Sequence, residues 1–473
     1  MRANEINYAI QQDDSIQELI KDAFVCLECG KCTGACPMVE LFPQHFNPHH
    51  VLEKLILNPE KILEEKDIWF CASCYRCNKR CPQGIELPEI FLKLRQKAIK
   101  EKGLKNLEQA LAIIDEKIIF LQSFFWVCFH PERIPLEKKT VDKLFEKKHF
   151  KKAKAIIPQS NHKVAIIGSG PSGLFAACEL IYKGYRVTIF EARPNAGGML
   201  RKCIPEYRLP TNIIENDIKN IEKLGIEIKT NIKIGEDLKF NQLFKNGFKA
   251  VFIASGAHQC IKLDIPGEDL PGITNTLQFL ENLKNNKIKT LPEKVVVIGG
   301  GNTAMDVASA AARCGVKEVN ILYRRSGEEI PADKNEIREA ENDGVRIHYL
   351  TSPGKFIGKD RIEKIECYKM ELGPLDFTGR RGPIPIKNSE FEMDADMAII
   401  AIGELPSINY LPEEVMINKD KTIAVNPQTM ETTMTGVFAG GDVVYGPATV
   451  SEAIISAKKA AEAIDHIFKQ NGN

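Results

Sequence analysis

The 473-residue chain is long enough for about three domains of roughly 150 residues each. Its 64 lysines and arginines balance 63 aspartates and glutamates, and the formal net charge of +1 favours neither nucleic acid nor an anionic membrane as a partner. The longest apolar stretch, Ile118 to Phe129, is far shorter than the ~20 residues of a membrane helix, and the polar N-terminus lacks the apolar core of a secretion signal. We therefore expect a cytoplasmic protein without a membrane span.

Two short segments near the N-terminus repeat one cysteine pattern, three cysteines at intervals of three residues followed by a Cys-Pro pair. The first runs from Cys26 to Cys36 and the second from Cys71 to Cys81. In this pattern three thiolates bind one 4Fe–4S cluster and the Cys before proline binds the other. One predicted ligand set is Cys26, Cys29, Cys32 and Cys81, and the other is Cys36, Cys71, Cys74 and Cys77. The alternative, two four-cysteine zinc sites, usually shows two well separated CxxC pairs.

The segments around these motifs have helical patterns up to a Lys-rich stretch and a linker near Pro158. The aromatic patch from Phe120 to Phe129 is either helix core or a surface on which a protein partner docks. From Lys163 onward, short β-branched runs alternate with helical segments, which indicates parallel sheets with crossover helices. The predicted fold is α/β, with two doubly wound Rossmann-type dinucleotide-binding domains after an α-helical dicluster ferredoxin-like domain.

The predicted domains follow these changes in pattern along the chain. We expect a ferredoxin-like domain over 1–105, a helical connector over 106–160, the first part of an FAD-binding domain over 161–290, an NAD(P)H-binding domain over 291–400 and the second part of the FAD-binding domain over 401–473.

A dinucleotide-binding fingerprint follows the first strand of the α/β part. Gly168, Gly170 and Gly173 form GxGxxG between a strand and a helix, and the next strand ends at Glu191, 18 residues after Gly173. The glycines permit a tight turn and close approach of a pyrophosphate to the helix N-terminus, and the acid can accept a hydrogen bond from a ribose hydroxyl. This combination predicts the first dinucleotide site, assigned to FAD.

A second fingerprint begins at Gly299 and Gly301, with Ala304 in the third position. Its second strand ends in Arg324 and Arg325 instead of an acid, and positive charge there suits a ribose 2′-phosphate. The alternative is that both arginines are solvated surface charge. This half is predicted to bind NADP(H), with NAD(H) possible.

A third segment, GVFAGGD, ends a strand at Gly441 and Asp442 and precedes a long helix that opens near Thr449 and Val450. Asp442 can accept a hydrogen bond from a flavin-chain hydroxyl, and the positive N-terminus of the helix suits the N1/O2 side of a flavin, where negative charge collects on reduction. The segment supports assigning FAD to the first dinucleotide site.

From about residue 161 to 470 the chain resembles the glutamate synthase small-subunit group of flavoproteins, on the motifs GSGPSGL, FEARPNAGGML, IPEYRLP, LDIPGEDLPGI, VIGGGNTAMDVA, YRRSGEEIPA, AIGELP and FAGGD. Over the first ~105 residues, CLECGKCTGACPM and WFCASCYRCNKRCPQGIEL resemble instead the C subunit of heterodisulfide reductases. Cys203 stands where the flavoprotein group usually has glycine, so it is either a buried apolar residue or a redox-active thiol.

These motifs and the resemblance imply two sets of cofactor-binding residues. The residues expected to contact FAD are Gly168, Gly170, Pro171, Ser172, Gly173, Glu191, Ala192, Gly198, Met199, Leu200, Arg208, Gly256, Gly441, Asp442, Thr449 and Val450. Those expected to contact NAD(P)H are Gly299, Gly301, Asn302, Thr303, Arg324, Arg325, Gly403 and Glu404.

The expected function is electron transfer between NAD(P)H and a protein redox partner through FAD and two 4Fe–4S clusters, in a subunit of a larger, heterodisulfide reductase-like anaerobic complex. Cofactors carry this chemistry, so no catalytic side chain is predicted. The alternatives are the small subunit of an NADPH-dependent glutamate synthase and a non-catalytic cluster scaffold.

Overall fold

The computed structural model describes residues 15–118, 121–134, 136–146, 154–206, 208–288, 290–376 and 379–470. The polar segment 1–14, on which the expected absence of a secretion signal depends, lies outside these residues. The chain forms two compact units. The first comprises Met1–Arg201, Glu206–Gly256 and Pro406–Asn473, and the second comprises Lys202–Pro205 and Ala257–Leu405.

The N-terminal part of the first unit is helical in the residues described. Its helices are α1 (Ile16–Phe24), α2 (Lys31–Ala35), α3 (Pro37–Leu41), α4 (Pro48–Leu57), α5 (Pro59–Ile62), α6 (Arg76–Arg80), α7 (Leu87–Lys102), α8 (Lys105–Asp115), α9 (Leu121–Phe129) and α10 (Lys138–Glu146), with 3₁₀ turns at Lys66–Trp69 and Pro131–Arg133. Phe70 lies at the centre of the core, with the ring centroids of Phe42 and Phe46 at 5.3 and 6.0 Å.

The two cysteine motifs share one backbone conformation. Glu28 and Ser73, each two residues after the first cysteine of its motif, both have positive φ, at 52° and 46°. Gly30 and Tyr75, each immediately before a short helix, also have positive φ, at 69° and 54°. Because L residues rarely adopt this region, its occurrence at matching positions shows that the two loops fold alike. The repeat seen in the sequence is therefore a repeat in the structure.

The first sheet supports the FAD fingerprint. It is fully parallel, in the order β16-β4-β1-β2-β3. Its strands are β1 (Lys163–Ile167), β2 (Arg186–Phe190), β3 (Glu227–Lys229), β4 (Phe248–Ile253) and β16 (Val437–Ala439), and its helices are α11 (Pro171–Tyr182), α12 (Gly198–Lys202), α13 (Thr211–Lys223), α14 (Phe240–Lys245), α18 (Asp442–Tyr445) and α19 (Val450–Gln470). Buried β-branched strands and crossover helices give the predicted doubly wound arrangement.

The second unit contains its own parallel sheet, in the order β6-β14-β7-β8-β9. An antiparallel group of β10 to β13 and a β5–β15 ribbon complete it. The strands are β5 (Gln259–Cys260), β6 (Ile273–Asn275), β7 (Lys294–Ile298), β8 (Glu318–Leu322), β9 (Arg346–His348), β10 (Thr351–Ile357), β11 (Lys364–Leu375), β12 (Arg381–Pro385), β13 (Phe391–Asp394), β14 (Met397–Ile400) and β15 (Glu404–Leu405), and the helices are α15 (Thr276–Lys284), α16 (Asn302–Arg313) and α17 (Lys334–Asn342).

The compact units divide at positions that differ from the boundaries expected at 290/291 and 400/401. The divisions fall after Gly256 and after Leu405. The reason is strand pairing, since β6 pairs in parallel with β14 and β5 pairs with β15. Strands β5 and β6, which were predicted from the sequence to belong to the FAD-binding domain, thus pair with strands of the second unit.

The aromatic patch is helix core. In α9 the side chains of Phe124, Phe125 and Phe129 are fully buried, and Trp126 is 7% exposed. Near its start, the backbone N–H of Ser123 donates to the carboxylate of Asp217 on α13 at 2.8 Å. The helix therefore buries its rings within the first unit, and they offer no surface for the docking that the sequence left open.

Candidate functional site

The first predicted cluster site is a single cavity beside the first turns of α4. Cys26, Cys29, Cys32 and Cys81 all line it, together with Leu52 and His49. Cys29 is exposed, and the apolar side chains of Phe24 and Leu27 beside it are 71% and 63% exposed. Four convergent thiols fit the ligand set that a 4Fe–4S cluster needs. The structure thus brings Cys81, from the second motif, to three cysteines of the first.

The second predicted site is more deeply buried. Burial raises the pKa of Cys36 to about 12, and the charges of Cys71 and Cys74 add to the rise. Burial also raises the pKa of Cys77, reinforced by Cys71, Cys74 and Cys36. Four thiols close enough to raise one another's pKa values cannot all ionise without a cation among them. The positive core of a 4Fe–4S cluster would supply that cation, so this donor set fits the cofactor.

One polar residue beside the second site was missed by sequence reasoning. Arg95 on α7 is fully buried, and its Nη2 donates to the carbonyl oxygen of Cys71 at 2.5 Å. Burial lowers the pKa of this guanidinium to about 10. The available signal was its position on the apolar face of α7, beside Phe91, Leu94 and Ala98.

The glycines of the first fingerprint separate into two kinds. A Cβ on Gly168 would meet the carbonyl oxygen of Ala254, and one on Gly173 would meet the carbonyl oxygen of Gly168. A Cβ on Gly170 would meet nothing within 4 Å. Gly168 and Gly173 are thus required by the fold, whereas Gly170 leaves open space where the fingerprint predicts the pyrophosphate.

Polar groups at the same loop match this assignment. The carboxylate of Glu191, at the end of β2, accepts hydrogen bonds from the backbone N–H of Ser169 at 3.1 Å and of Arg193 at 2.9 Å, and from the Ser169 hydroxyl. At the start of α11, the hydroxyl of Ser172 is buried without a hydrogen-bond partner among the described residues. A phosphate oxygen at this helix N-terminus would satisfy that hydroxyl.

The C-terminal segment reaches the same edge of the first sheet. Gly441 follows β16 with a φ of 74°, and the carboxylate of Asp442 accepts from the N–H of Ala448 at 3.2 Å. Thr449 and Glu452 form a capping box at the start of α19: the Thr449 hydroxyl accepts from the N–H of Glu452 at 3.3 Å, and the Glu452 carboxylate accepts from the N–H of Thr449 at 3.0 Å. A Cβ on Gly441 would lie 3.0 Å from Cβ of Ser172 and 3.8 Å from Cβ of Ala453, so the first turn of α19 lies close to the start of α11.

The start of α19 also contacts the cluster module. Arg76, between Cys74 and Cys77, donates to Glu452 at 3.0 Å. A second pair joins Glu40 of α3 to Lys459 of α19 at 3.4 Å. The second cluster site is thereby held against the helix that is predicted to face the flavin.

The other residues predicted for FAD lie in the loops around this edge. A Cβ on Gly198 would lie 2.7 Å from Cα of Gly170, so the α12 loop crosses the fingerprint closely. Leu200 is buried, Met199, Arg208 and Gly256 are half-buried, Pro171 and Val450 are half-buried at helix starts, and Ala192 is exposed.

The second fingerprint has the same division of roles. A Cβ on Gly299 would meet the carbonyl oxygen of Ala401, whereas one on Gly301 would meet nothing within 4 Å. The amide of Asn302 donates to Asp333 at 2.8 Å and accepts from its backbone N–H, while Thr303 is half-buried. Gly403 and Glu404 follow β14, and burial raises the pKa of the Glu404 carboxyl. The free space at Gly301 lies where the fingerprint predicts the second pyrophosphate.

The two arginines after β8 differ in environment. Arg325 is buried, donating to Asp376 at 2.5 Å and to the carbonyl oxygen of Arg381 at 2.8 Å. Arg324 is exposed, and its pKa is lowered by burial of part of the side chain and by the nearby charges of Arg325 and Arg380. The structure therefore leaves Arg324 available for a 2′-phosphate, while Arg325 already holds the antiparallel strands.

Cys203 is half-buried and packs against the core of the second unit. That position agrees with a small apolar residue. In the part of the chain that the structure describes, no helix is long and apolar enough to cross a bilayer.

Two protein families and several known proteins are similar to this chain. Residues 162–457 match the pyridine nucleotide-disulphide oxidoreductase family, and residues 22–85 match the 4Fe-4S dicluster domain. A solved structure of Mycobacterium tuberculosis FprA in complex with NADPH is 19% identical with a TM-score of 0.55, over 66% of this chain and 86% of that one. A thioredoxin reductase from T. acidophilum is 18% identical with a TM-score of 0.52, over 65% of this chain and 99% of that one.

Two kinds of curated relatives are similar. The NADP(+)-dependent formate dehydrogenase subunit beta of Moorella thermoacetica is 37% identical over 83% of this chain and 60% of its own length. The NADPH-Fe(3+) oxidoreductase subunit beta of Geobacter sulfurreducens is 34% identical over 83% and 64%. A putative glutamate synthase [NADPH] small chain of Cereibacter sphaeroides is 34% identical over 65% and 77%.

The chain spans only about 60% of the length of the first of these relatives. Its two matched families account for FAD, NAD(P)H and 4Fe–4S clusters as cofactors. The chain therefore belongs to the pyridine nucleotide-disulphide oxidoreductase family, as an iron–sulfur member with a dicluster domain ahead of the flavoprotein fold.

Proposed function

We propose that this protein transfers electrons between NADPH and a protein redox partner, as a subunit of a larger complex. The observation that carries the proposal is the ion pair between Arg76, in the second cysteine loop, and Glu452, in the capping box of α19. The ion pair supports a position of the proposed Cys36, Cys71, Cys74 and Cys77 site beside α19, the helix that is predicted to face the flavin.

Four groups of residues hold the cofactors in this proposal. The loops after β1, β2 and β16 bind FAD through Gly170, Glu191 and Asp442, and those after β7 and β8 bind NADPH through Gly301 and Arg324. The two cysteine sets bind the clusters, with the ligands crossed between the motifs. When bound, FAD exchanges a hydride with NADPH and single electrons with an iron–sulfur cluster.

The surface around the first cluster site supports exchange with another protein. Cys29 is exposed, and Phe24, Val25 and Leu27 expose apolar side chains next to Cys26. Exposed apolar groups beside a redox site suit a docking surface. The order of sites is then NADPH, FAD, the buried cluster site, the exposed cluster site and the partner.

The names of the relatives support a role as a subunit. The Moorella and Geobacter relatives, which align over 83% of this chain, are named subunit beta of an NADP(+)-dependent formate dehydrogenase and of an NADPH-Fe(3+) oxidoreductase. The glutamate synthase small chains align over only about 65% of this chain. The longer alignment favours a function like that of the formate dehydrogenase and NADPH-Fe(3+) oxidoreductase subunits. A heterodisulfide reductase-like assembly is the finer proposal, and it depends on the resemblance of the cysteine segments.

Anaerobic reduction of the cluster-loaded chain tests the proposed order. In the wild type, NADPH is expected to bleach the flavin absorbance and then produce EPR signals of both clusters. Cys36→Ser is expected to keep NADPH-dependent reduction of a two-electron dye and to slow reduction of the cluster at Cys26 at least tenfold. A matched control, Cys314→Ser, changes a scattered half-buried thiol and leaves both rates unchanged. Reduction of the Cys26 cluster at the wild-type rate in Cys36→Ser would contradict the order.

A further inference from the structure

We propose that the buried, fixed positive charge of Arg95 raises the reduction potential of the cluster held by Cys36, Cys71, Cys74 and Cys77. The proposal rests on the proposed ligand set of that cluster. It assigns a function to a buried cation outside both dinucleotide sites.

The position of Arg95 is fixed by two backbone acceptors. Its Nε donates to the carbonyl oxygen of Ile68 at 2.8 Å, and its Nη2 donates to that of Cys71 at 2.5 Å. Both acceptors lie in the segment that leads into the second cysteine motif. The guanidinium is thus locked beside one of the cluster ligands.

Aromatic rings enclose the same guanidinium. Its central carbon lies 5.5 Å from the ring centroid of Trp69 and 4.9 Å from that of Phe129. Its Nη1 is buried without an acceptor among the described residues. The thiols of Cys71 and Cys128 lie near enough that a negative charge on either would raise the pKa of the guanidinium, against the larger lowering by burial.

Among the described residues Arg95 has no carboxylate partner, and a buried guanidinium in that situation is unfavourable by itself, since its charge has lost water without gaining a counterion. A 4Fe–4S cluster bound by four thiolates is negative, and it gains a further negative charge on reduction. In a medium of low dielectric constant, a fixed cation beside Cys71 therefore stabilises the reduced state more than the oxidised state. The cluster supplies the missing counterion, and Arg95 raises its potential.

The first cluster site provides an internal comparison. Lys31, which lines that cavity, is exposed to solvent. Water screens its charge, so the effect of a single cation is weaker there. Changing Arg95 should therefore move one cluster potential and leave the other in place.

A purely structural role is the competing explanation. Arg95 also ties two carbonyl groups to α7, and any residue unable to make both hydrogen bonds would disturb them. Lysine separates the two roles, because it keeps the charge and loses the planar two-armed geometry. Methionine and glutamine remove the charge, and methionine preserves most of the buried length.

The experiment is an EPR-monitored redox titration of the full, cluster-loaded chain. Arg95→Met and Arg95→Gln are expected to lower the equilibrium constant for one-electron reduction of the second cluster at least tenfold. A tenfold change corresponds to a fall of about 59 mV in the reduction potential. Arg95→Lys should stay closer to the wild type than either neutral variant. Lys100→Met, which removes an exposed charge from the same helix, should leave both potentials unchanged.

Each remaining outcome decides the proposal. An unchanged potential in Arg95→Met, an equal shift of both clusters, or a shift in Arg95→Lys as large as in Arg95→Met would overturn it. If the neutral variants lose the second cluster, its retention in Arg95→Lys supports charge pairing and its loss there overturns the proposal. Cys36→Ser in the same titration identifies the signal, and loss of the Cys26 cluster in that variant would show that the ligand assignment itself has failed.

Discussion

The buried carboxyl of Asp217 should give the protein a distinctive pH dependence of stability. Asp217 is 3% exposed on α13, and it accepts the N–H of Ser123 at the start of α9. Burial raises its pKa from 3.8 to about 7, against the lowering effect of the Ser123 hydrogen bonds, and the nearby charge of Asp115 adds to the rise. We expect Asp217→Asn, which keeps a carbonyl acceptor for Ser123, to remove this titration.

The rise in the pKa of Asp217 on folding determines how stability changes with pH. Because the folded-state pKa lies above the unfolded one, the folded protein binds the proton more tightly, so the contribution to stability is fully present below pH 3.8 and is lost as pH rises through about 7. Between these values the free energy of unfolding should fall by about 1.4 kcal/mol per pH unit, and by about 4 kcal/mol across the whole window as an upper bound. Above about pH 8 the contribution should be constant.

Thermal unfolding of anaerobic wild type and Asp217→Asn between pH 5.5 and 8.5 measures this effect. The difference between the two proteins isolates Asp217, since all other titrating groups are shared. The stability of the variant relative to the wild type should rise with pH and level off near pH 8. Asp237→Asn, at an exposed carboxylate, serves as the control. A pH-independent difference between wild type and Asp217→Asn would refute the reasoning.

Three further predictions concern the dinucleotide sites. Arg324→Glu should weaken NADPH binding about 10- to 100-fold and NADH binding little, since a charge-assisted hydrogen bond contributes about 1.5–3 kcal/mol. Arg325→Glu should instead destabilise the second unit by breaking its ion pair with Asp376. Equal losses of affinity for both nucleotides in Arg324→Glu, measured by dye reduction, would count against the NADP(H) assignment. Gly170→Ala should fold and lose flavin affinity, because its φ of −70° suits alanine and a Cβ there meets only open space, whereas Gly173→Ala should fail to fold normally; flavin content and circular dichroism distinguish them, and full flavin occupancy in Gly170→Ala would exclude close approach of the pyrophosphate. Thr449→Val should cost about 1 kcal/mol through loss of the cap of α19, measured by thermal unfolding against Thr290→Val as an exposed control, and an unchanged stability would show that Glu452 is held by Arg76 alone.

Features that depend on residues close together along the chain could be predicted from the sequence. The cysteine intervals predicted 4Fe–4S centres, and the strand–glycine–helix runs at Gly168 and Gly299 predicted the α/β fold and its nucleotide cofactors, all of which the family matches support. Such patterns are readable because a tight turn or a ligand triplet involves residues only a few positions apart. A parallel sheet then places the carboxyl ends of its strands at one edge, so the loops at Gly170, Glu191 and Asp442 could be expected to lie together.

Contacts between distant segments of the chain establish which side chains remain available for cofactors or partners. The sequence treats Arg324 and Arg325 alike, but only contacts with the distant Asp376 and Arg381 bury the second one. The aromatic rings of α9 could have faced solvent, and Asp217 and Arg95, from other helices, make them core. Strand β6 pairs with β14 in the second sheet, and strand β5 forms a separate ribbon with β15; both partners lie more than a hundred residues later in the chain. Burial, ion pairing and strand pairing of this kind depend on residues that are far apart in the chain and meet only in the folded protein. Local sequence patterns therefore cannot predict them.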